Sequence, residues 1–203
     1  MNGLIRFYQR ASNWKTILAA FIATAALYTL FGLAIVPRLL ELTGGYQAPD
    51  IIPFYTLSDL RTFLASARPE GLAFYATRFF PVDLVFPLSL ATFFCLTLAF
   101  LTRRLFSERS RWHAWVLFPW IGTIADYGEN VGLVLAIRFP DAASDGFLLA
   151  VTWASRIKLV FGAGNLVLVA GFALAWTIRA MNSPKLKAFD RTRAGSNTHD
   201  KKL

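Results

Sequence analysis

The chain has 203 residues, of which 56% are hydrophobic and only 16% are charged, and its formal net charge at pH 7 is +9. This composition, with a mean hydropathy of +0.48, excludes an ordinary soluble domain and predicts an integral membrane protein. The basic residues are dispersed over three segments of the chain, which argues against a nucleic-acid-binding protein.

Four apolar blocks follow one another along the chain, each long enough to cross a hydrocarbon core of about 30 Å. We therefore predict an all-α polytopic membrane protein, in which residues 1–182 form a single four-helix transmembrane domain. Pro37 and Arg38 should end the first block, and Pro81 and Pro87 should kink the second helix. Residues 183–203 are polar and basic, and we predict a disordered cytoplasmic tail. The four spans are predicted at about residues 15–40, 72–104, 113–139 and 147–179.

The segment between the first and second spans, residues 43–70, should lie on the extracytoplasmic side and contain a short amphipathic helix. Thr56 is a suitable N-cap with Asp59 three residues later, and Pro69 forces an end. We expect this helix to lie on the membrane or to cap the bundle, because its apolar residues share one face. They are Leu57, Leu60, Phe63, Leu64 and Ala67.

Lysines and arginines flank the predicted spans unevenly. They precede the first span, crowd the link between the second and third, and follow the fourth, whereas the opposite links mix basic with acidic residues. The positive-inside rule then predicts that both termini are cytoplasmic. Topology and attraction to anionic lipid headgroups explain the net positive charge.

Ionisable side chains interrupt three of the predicted spans at a similar depth. In the third span, Asp126, Glu129 and Asn130 share a face, because residues three and four positions apart are neighbours on a helix. Asp83 lies in the second span, and Arg156 and Lys158 lie in the fourth. A charge in the bilayer core is costly unless it is paired, so these groups should face each other inside the bundle.

Helix geometry separates the two bases of the fourth span, since residues two positions apart diverge by about 200°. Lys158 shares a face with Ser155, Gly162 and Asn165 and is assigned to the acids of the third span. Arg156 is expected nearer Asp83 or the outer mouth. One negative charge is left in excess, so either a further base such as Arg78 joins the site or one carboxyl is protonated. The predicted ligand-binding residues are Asp83, Asp126, Tyr127, Glu129, Asn130, Arg156, Lys158 and Asn165.

Several common intramembrane chemistries lack their residues. The sequence has no pair of histidines placed for haem, no Cys/His set for zinc and no Gly-rich phosphate loop, and no serine has a histidine within a span to activate it. We therefore predict neither a cofactor nor a metal site.

The pattern Y-T-L-S-D-L, E-G-L-A-F-Y and V-D-L-V-F-P, followed by D-Y-G-E-N and A-S-R-I-K, resembles a family of small bacterial four-helix membrane proteins over about residues 15–180. The resemblance implies a multi-pass protein of the bacterial cytoplasmic membrane, but it implies no activity. Its signature positions would be Asp83, Asp126, Glu129, Asn130, Arg156 and Lys158.

Three classes of function remain open. The favoured one is a binding protein whose buried polar pocket, in the outer half of the bundle, holds a lipid or other amphiphile; transport would favour a homodimer. The second is an enzyme in which Asp126 or Glu129 acts as acid or base on a lipophilic substrate and Lys158 tunes it. The third is a structural or partner-binding protein in which ion pairs hold the helices together.

Overall fold

The computed structural model describes residues 3–182, which form helices and connecting loops without a strand. The predicted tail at 183–203 lies outside the described residues. Short 3₁₀ helices at Pro49–Ile51, Arg111–Leu117 and Pro140–Ala142 lie in the connections. The α-helices are α1 (Gly3–Ala11), α2 (Trp14–Leu30), α3 (Val36–Leu42), α4 (Leu57–Ser66), α5 (Pro69–Phe74), α6 (Phe80–Leu105), α7 (Pro119–Arg138) and α8 (Asp145–Met181).

Three helical stretches among the described residues are long and apolar enough to cross a membrane. They are Trp14–Leu42, Pro69–Leu105 and Asp145–Met181. The all-α fold is thus confirmed, and these three stretches indicate a membrane protein. The helix α7 was predicted as a span but is not one of the three. It carries two carboxylates, an amide and three glycines within its 20 residues.

Two π turns interrupt the first two long stretches, and each is followed closely by a proline. The turn Phe31–Ile35 joins α2 to α3 ahead of Pro37, and the turn Tyr75–Phe79 joins α5 to α6 ahead of Pro81. Pro37 and Arg38 end the uncharged apolar block, but the chain remains helical to Leu42, close to the predicted end of the span at about residue 40. A π turn shifts the backbone hydrogen-bond register, and each proline then lies in the first turn of the next helix, where its missing N–H is tolerated.

The helix α4 follows its predicted capping residues. The Thr56 hydroxyl accepts the Asp59 N–H at 3.2 Å, and the Asp59 carboxylate accepts the Thr56 N–H at 2.8 Å. These hydrogen bonds lower the pKa of Asp59. Leu60 and Phe63 are buried, and α4 packs against α8.

The N-terminal helix α1 is absent from the sequence predictions. Asn13 separates it from α2 by accepting the backbone N–H groups of Lys15 and Thr16 at 3.0 and 3.1 Å. Ile5 and Tyr8 are buried, and α1 packs against α6 and the 3₁₀ helix Arg111–Leu117. The helix α1 is therefore docked onto the bundle.

The remaining helices pack unequally. The most extensive contact is between α7 and α8, which approach closely at Gly132, where an added Cβ would lie 2.5 Å from Val151 Cγ2. The helix α6 packs against α2, α7 and α8, whereas α2 packs closely against neither α7 nor α8. A space therefore lies between α2 and α8.

Candidate functional site

A cavity of about 510 Å³ occupies the space between the long helices. Its walls come from α2, α3, α6, α7, α8 and the π turn at Phe31–Ile35, and Gln47, Asp50 and Ile51 form its roof. Asp50, Asp83, Asp126 and Lys158 form a polar part of it, and its other polar lining residues are Gln47, Thr123 and Asn165. The apolar part of its lining includes Tyr28, Phe31, Phe86, Leu90, Phe94 and Leu159.

Lys158 brings three elements together at the polar part of the cavity. Its Nζ lies 2.6 Å from Glu129 Oε2 and 3.1 Å from Asp126 Oδ1. It also donates to the backbone carbonyl of Asp50 at 3.3 Å. The spacing argument that assigned Lys158 to the acids of α7 therefore predicted its partners, while the contact with the roof was not predicted.

Asn130 connects α7 to α6. Its Nδ2 donates to Asp83 Oδ2 and, at 3.2 Å, to Asp126 Oδ1. One turn of α7 thus presents an amide between two carboxylates that would otherwise repel each other. Tyr127 adds a second connection, because its hydroxyl donates to the Leu84 carbonyl at 2.7 Å.

Acidic groups outnumber basic ones at this site. Asp50, Asp83, Asp126 and Glu129 contact or surround the single ammonium of Lys158. Burial, followed by the charge of Asp83, raises the pKa of Asp50 well above its usual range. A protonated Asp50 would reduce the excess negative charge.

Buried oxygen atoms without a hydrogen-bond partner line or adjoin the same cavity. The Glu129 side chain is 0% exposed, and its Oε2 has the Lys158 ammonium at 2.6 Å as a partner. Carboxylate and amide oxygens can only accept hydrogen bonds, so most of these atoms require donors. They are Asp50 Oδ1, Asn130 Oδ1, Asn165 Oδ1 and the Tyr75 hydroxyl.

The structure brings seven of the eight predicted ligand-binding residues to the cavity or next to it. The cavity is lined by Asp83, Asp126, Lys158 and Asn165. The other three do not line it but contact these residues or α6, namely Tyr127, Glu129 and Asn130. Arg156 is not brought into the cavity; its guanidinium lies over the Trp153 ring, 4.8 Å from the centroid. Arg78 is exposed and does not line the cavity either.

Three residues of the site were missed by the sequence analysis. Asp50 and Tyr55 lie in the irregular segment between α3 and α4, where no helical period indicates direction. Tyr75 lies in the π turn ahead of α6. Burial and the facing Glu129 carboxylate raise the pKa of Tyr55, so its hydroxyl keeps its proton.

The arrangement can accept several hydrogen bonds, and the Lys158 ammonium forms ion pairs with the two α7 carboxylates. Within residues 3–182, no group of three or more His, Cys, Asp or Glu residues is arranged to hold a metal ion.

No protein-family model, curated protein or solved structure matches the chain. The family resemblance stays a prediction.

Proposed function

We propose that the protein is a four-helix membrane protein that binds an amphiphilic small molecule in the 510 Å³ cavity. The head of this molecule, a cation or another group rich in hydrogen-bond donors, lies at the carboxylates, and its apolar part extends between α2 and α8. The observation that carries the proposal is the group of unpartnered acceptor oxygens beside a cavity whose remaining wall is apolar.

The distribution of side chains on α7 supports a fourth membrane span. Its buried residues include Glu129 and Asn130, whereas its exposed large residues ahead of the terminal Arg138 are all apolar. Apolar residues outside and polar residues inside are typical of a helix in lipid. The exposed residues are Ile121, Ile124, Val131 and Leu135.

Charge supports a topology with both termini in the cytoplasm. On α6, Arg103 follows Asp83 by 20 residues, which corresponds to about 30 Å along the helix. The acidic cavity and the arginine-rich end are thus separated by about the thickness of a bilayer core. With the arginines on the cytoplasmic side, the cavity lies toward the outer leaflet of a bacterial inner membrane.

The chemistry of the orphaned atoms favours a head that donates hydrogen bonds. A second anion would add to an already acidic group of side chains, whereas an ammonium or a set of hydroxyls could supply donors to Asp50 and Asn165, which line the cavity. Forming these bonds would offset the free-energy cost of burying unpaired acceptors, which is about 1–3 kcal/mol per group.

The open side between α2 and α8 provides a place for an apolar chain. Gly32 on the α2 side and Gly162 on α8 line the cavity, and a Cβ added at either would meet no atom within 4 Å. Tyr28, Phe86 and Leu159 line the cavity as well. A chain leaving the polar part by this route would reach the lipid directly.

One contact favours an enzyme as the second candidate. Lys158 bridges Asp126 and Glu129, so a proton could pass between base and acid beside a bound lipophilic substrate. The structural class requires only that the same ion pairs hold α7 to α8, with no molecule in the cavity.

Native mass spectrometry of the protein extracted from its own membrane tests the proposal. Wild type is compared with Asp126→Asn, which changes a cavity carboxylate, and with Asp141→Asn, which changes an exposed loop carboxylate. We expect one defined amphiphile with wild type and Asp141→Asn, and its loss from a folded Asp126→Asn.

Other outcomes separate the alternatives. A defined molecule that wild type chemically converts, and that Asp126→Asn retains unchanged, would assign an enzyme. Bulk lipid alone with all three proteins would contradict binding and favour the structural class.

A further inference from the structure

A second region with chemistry of its own lies at the opposite end of the bundle, where α1 meets the end of α6. Two cavities of about 720 and 460 Å³ adjoin there and share Arg6, Glu108 and His113 in their linings. We call them together the basic groove. Among its described lining residues Glu108 is the single acid, whereas the arginines are Arg6, Arg10, Arg103, Arg109 and Arg111.

A buried histidine forms part of the groove wall. His113 is only 2% exposed. Its Nε2 lies 3.0 Å from the Ser107 carbonyl oxygen. Because a carbonyl only accepts, Nε2 must carry a proton. The other ring nitrogen, Nδ1, is buried without a partner.

The groove walls are held in place by contacts between separate elements. The Arg103 guanidinium donates to the Gln9 carbonyl, which ties α6 to α1. Ser110 accepts the Trp112 N–H at 3.3 Å and starts the 3₁₀ helix that carries His113. The arginines of the groove are thus mounted on connected elements rather than on a free tail.

We propose that the basic groove binds the phosphate group of an anionic phospholipid. Guanidinium groups match the geometry of phosphate oxygens and bind them with two parallel hydrogen bonds. The adjacent face of α1 exposes Leu4 and Phe7, the latter at 61%. Exposed apolar residues beside arginines on a short helix are typical of the lipid–water boundary, so the phosphate belongs to a lipid. The groove is independent of the acidic cavity and of its proposed ligand.

The test measures phospholipid retained by the full chain in mixed nanodiscs of phosphatidylglycerol and phosphatidylcholine, by native mass spectrometry. The double variant Arg109→Gln/Arg111→Gln removes two groove charges. The control Arg78→Gln/Arg138→Gln removes two exposed arginines elsewhere. We expect wild type and the control to retain phosphatidylglycerol preferentially, and the groove variant to lose this preference at least about tenfold.

Two results would overturn the proposal. One is an equal preference for phosphatidylglycerol in the groove variant and in wild type. The other is displacement of the lipid by added inorganic phosphate, which would assign the groove to a soluble phosphate compound.

Discussion

At the end of the bundle that residues 47–51 cover, four carboxyl groups and one ammonium line or adjoin a cavity, and Glu129 is fully buried. At the other end, arginines surround an open groove. There Arg104 lies over the Phe100 ring, 3.6 Å from its centroid, and Arg179 donates to the Leu105 carbonyl at 2.7 Å. Both end regions are charged, but only the first removes its charges from solvent.

The two ends differ in the free energy that is needed to remove their charged groups from water during folding. An exposed guanidinium keeps its hydration, so it can be placed at an interface with little effect on folding. A buried carboxylate must be compensated by partners, and several oxygens of the acidic cavity have none within the protein. Substitutions at the cavity should therefore affect both stability and binding, whereas those at the basic groove should affect binding alone.

The largest expected effect comes from Lys158→Met. This change leaves Asp126 and Glu129 without their cation, and we expect a loss of about 3–5 kcal/mol in the free energy of unfolding. Adding Glu129→Gln to Lys158→Met should recover part of the loss, because one uncompensated charge is removed. Equilibrium unfolding in mixed micelles measures both. Strictly additive losses would show that the two side chains are not coupled.

A smaller effect is expected from Gly132→Ala, which tests the packing of α7 on α8. The new methyl would lie 2.5 Å from Val151 Cγ2, so either the Val151 side chain must leave its rotamer or the helices must separate. We expect a destabilisation of about 1–3 kcal/mol. Gly128→Ala is the matched control one turn away, because a Cβ there meets nothing within 4 Å. Equal unfolding energies for the two variants would contradict the close helix contact.

Asp50→Asn should change the pH dependence of stability. The raised pKa of Asp50 means that the folded protein holds a proton that the unfolded chain releases above its usual value of 3.8. Wild type therefore loses stability as the pH rises from that value toward the raised pKa, and Asp50→Asn should lose less. Asp59→Asn provides a control of opposite sign, because the pKa of Asp59 is lowered and its contribution is lost as the pH falls. Thermal unfolding across acidic to neutral pH would contradict this account if Asp50→Asn followed the wild-type curve.

The smallest effect is expected at the arginine-rich end. Arg179→Gln removes an exposed cation and its hydrogen bond to Leu105, and we expect less than about 1 kcal/mol of destabilisation. The same unfolding assay used for Lys158→Met measures it. If Arg179→Gln lowered the free energy of unfolding as much as Lys158→Met does, charges at the two ends would contribute equally to stability, which would contradict the comparison.

The sequence predicts the parts of this molecule that depend on local chemistry. The capping pair Thr56 and Asp59 predicts the start of α4, because both residues act within one turn. Helical spacing predicts that Lys158 faces Asp126 and Glu129, because two regular helices in contact keep their faces. The positions of the long apolar stretches follow from their composition in the same way.

Other features depend on contacts that helical periodicity does not describe. Asp50 reaches the site through a loop, so its position follows from how residues 47–51 fold over the helices. Arg156 shares its helix with Trp153 and stacks on that ring instead of joining the acids. The helix continues beyond Pro37 because a π turn changes the hydrogen-bond register, and no single residue type signals such a turn.

Binding of an amphiphile in the 510 Å³ cavity is tested most directly by a substitution that fills the cavity without changing any charge. Gly162→Phe places a ring in the cavity, whereas Gly171→Phe adds the same ring on α8 at a glycine that does not line it. Native mass spectrometry of both variants, extracted from their own membrane, records the retained amphiphile. We expect that a folded Gly162→Phe variant loses the molecule, whereas wild type and Gly171→Phe retain it. Retention by Gly162→Phe at the wild-type level would contradict binding in this cavity.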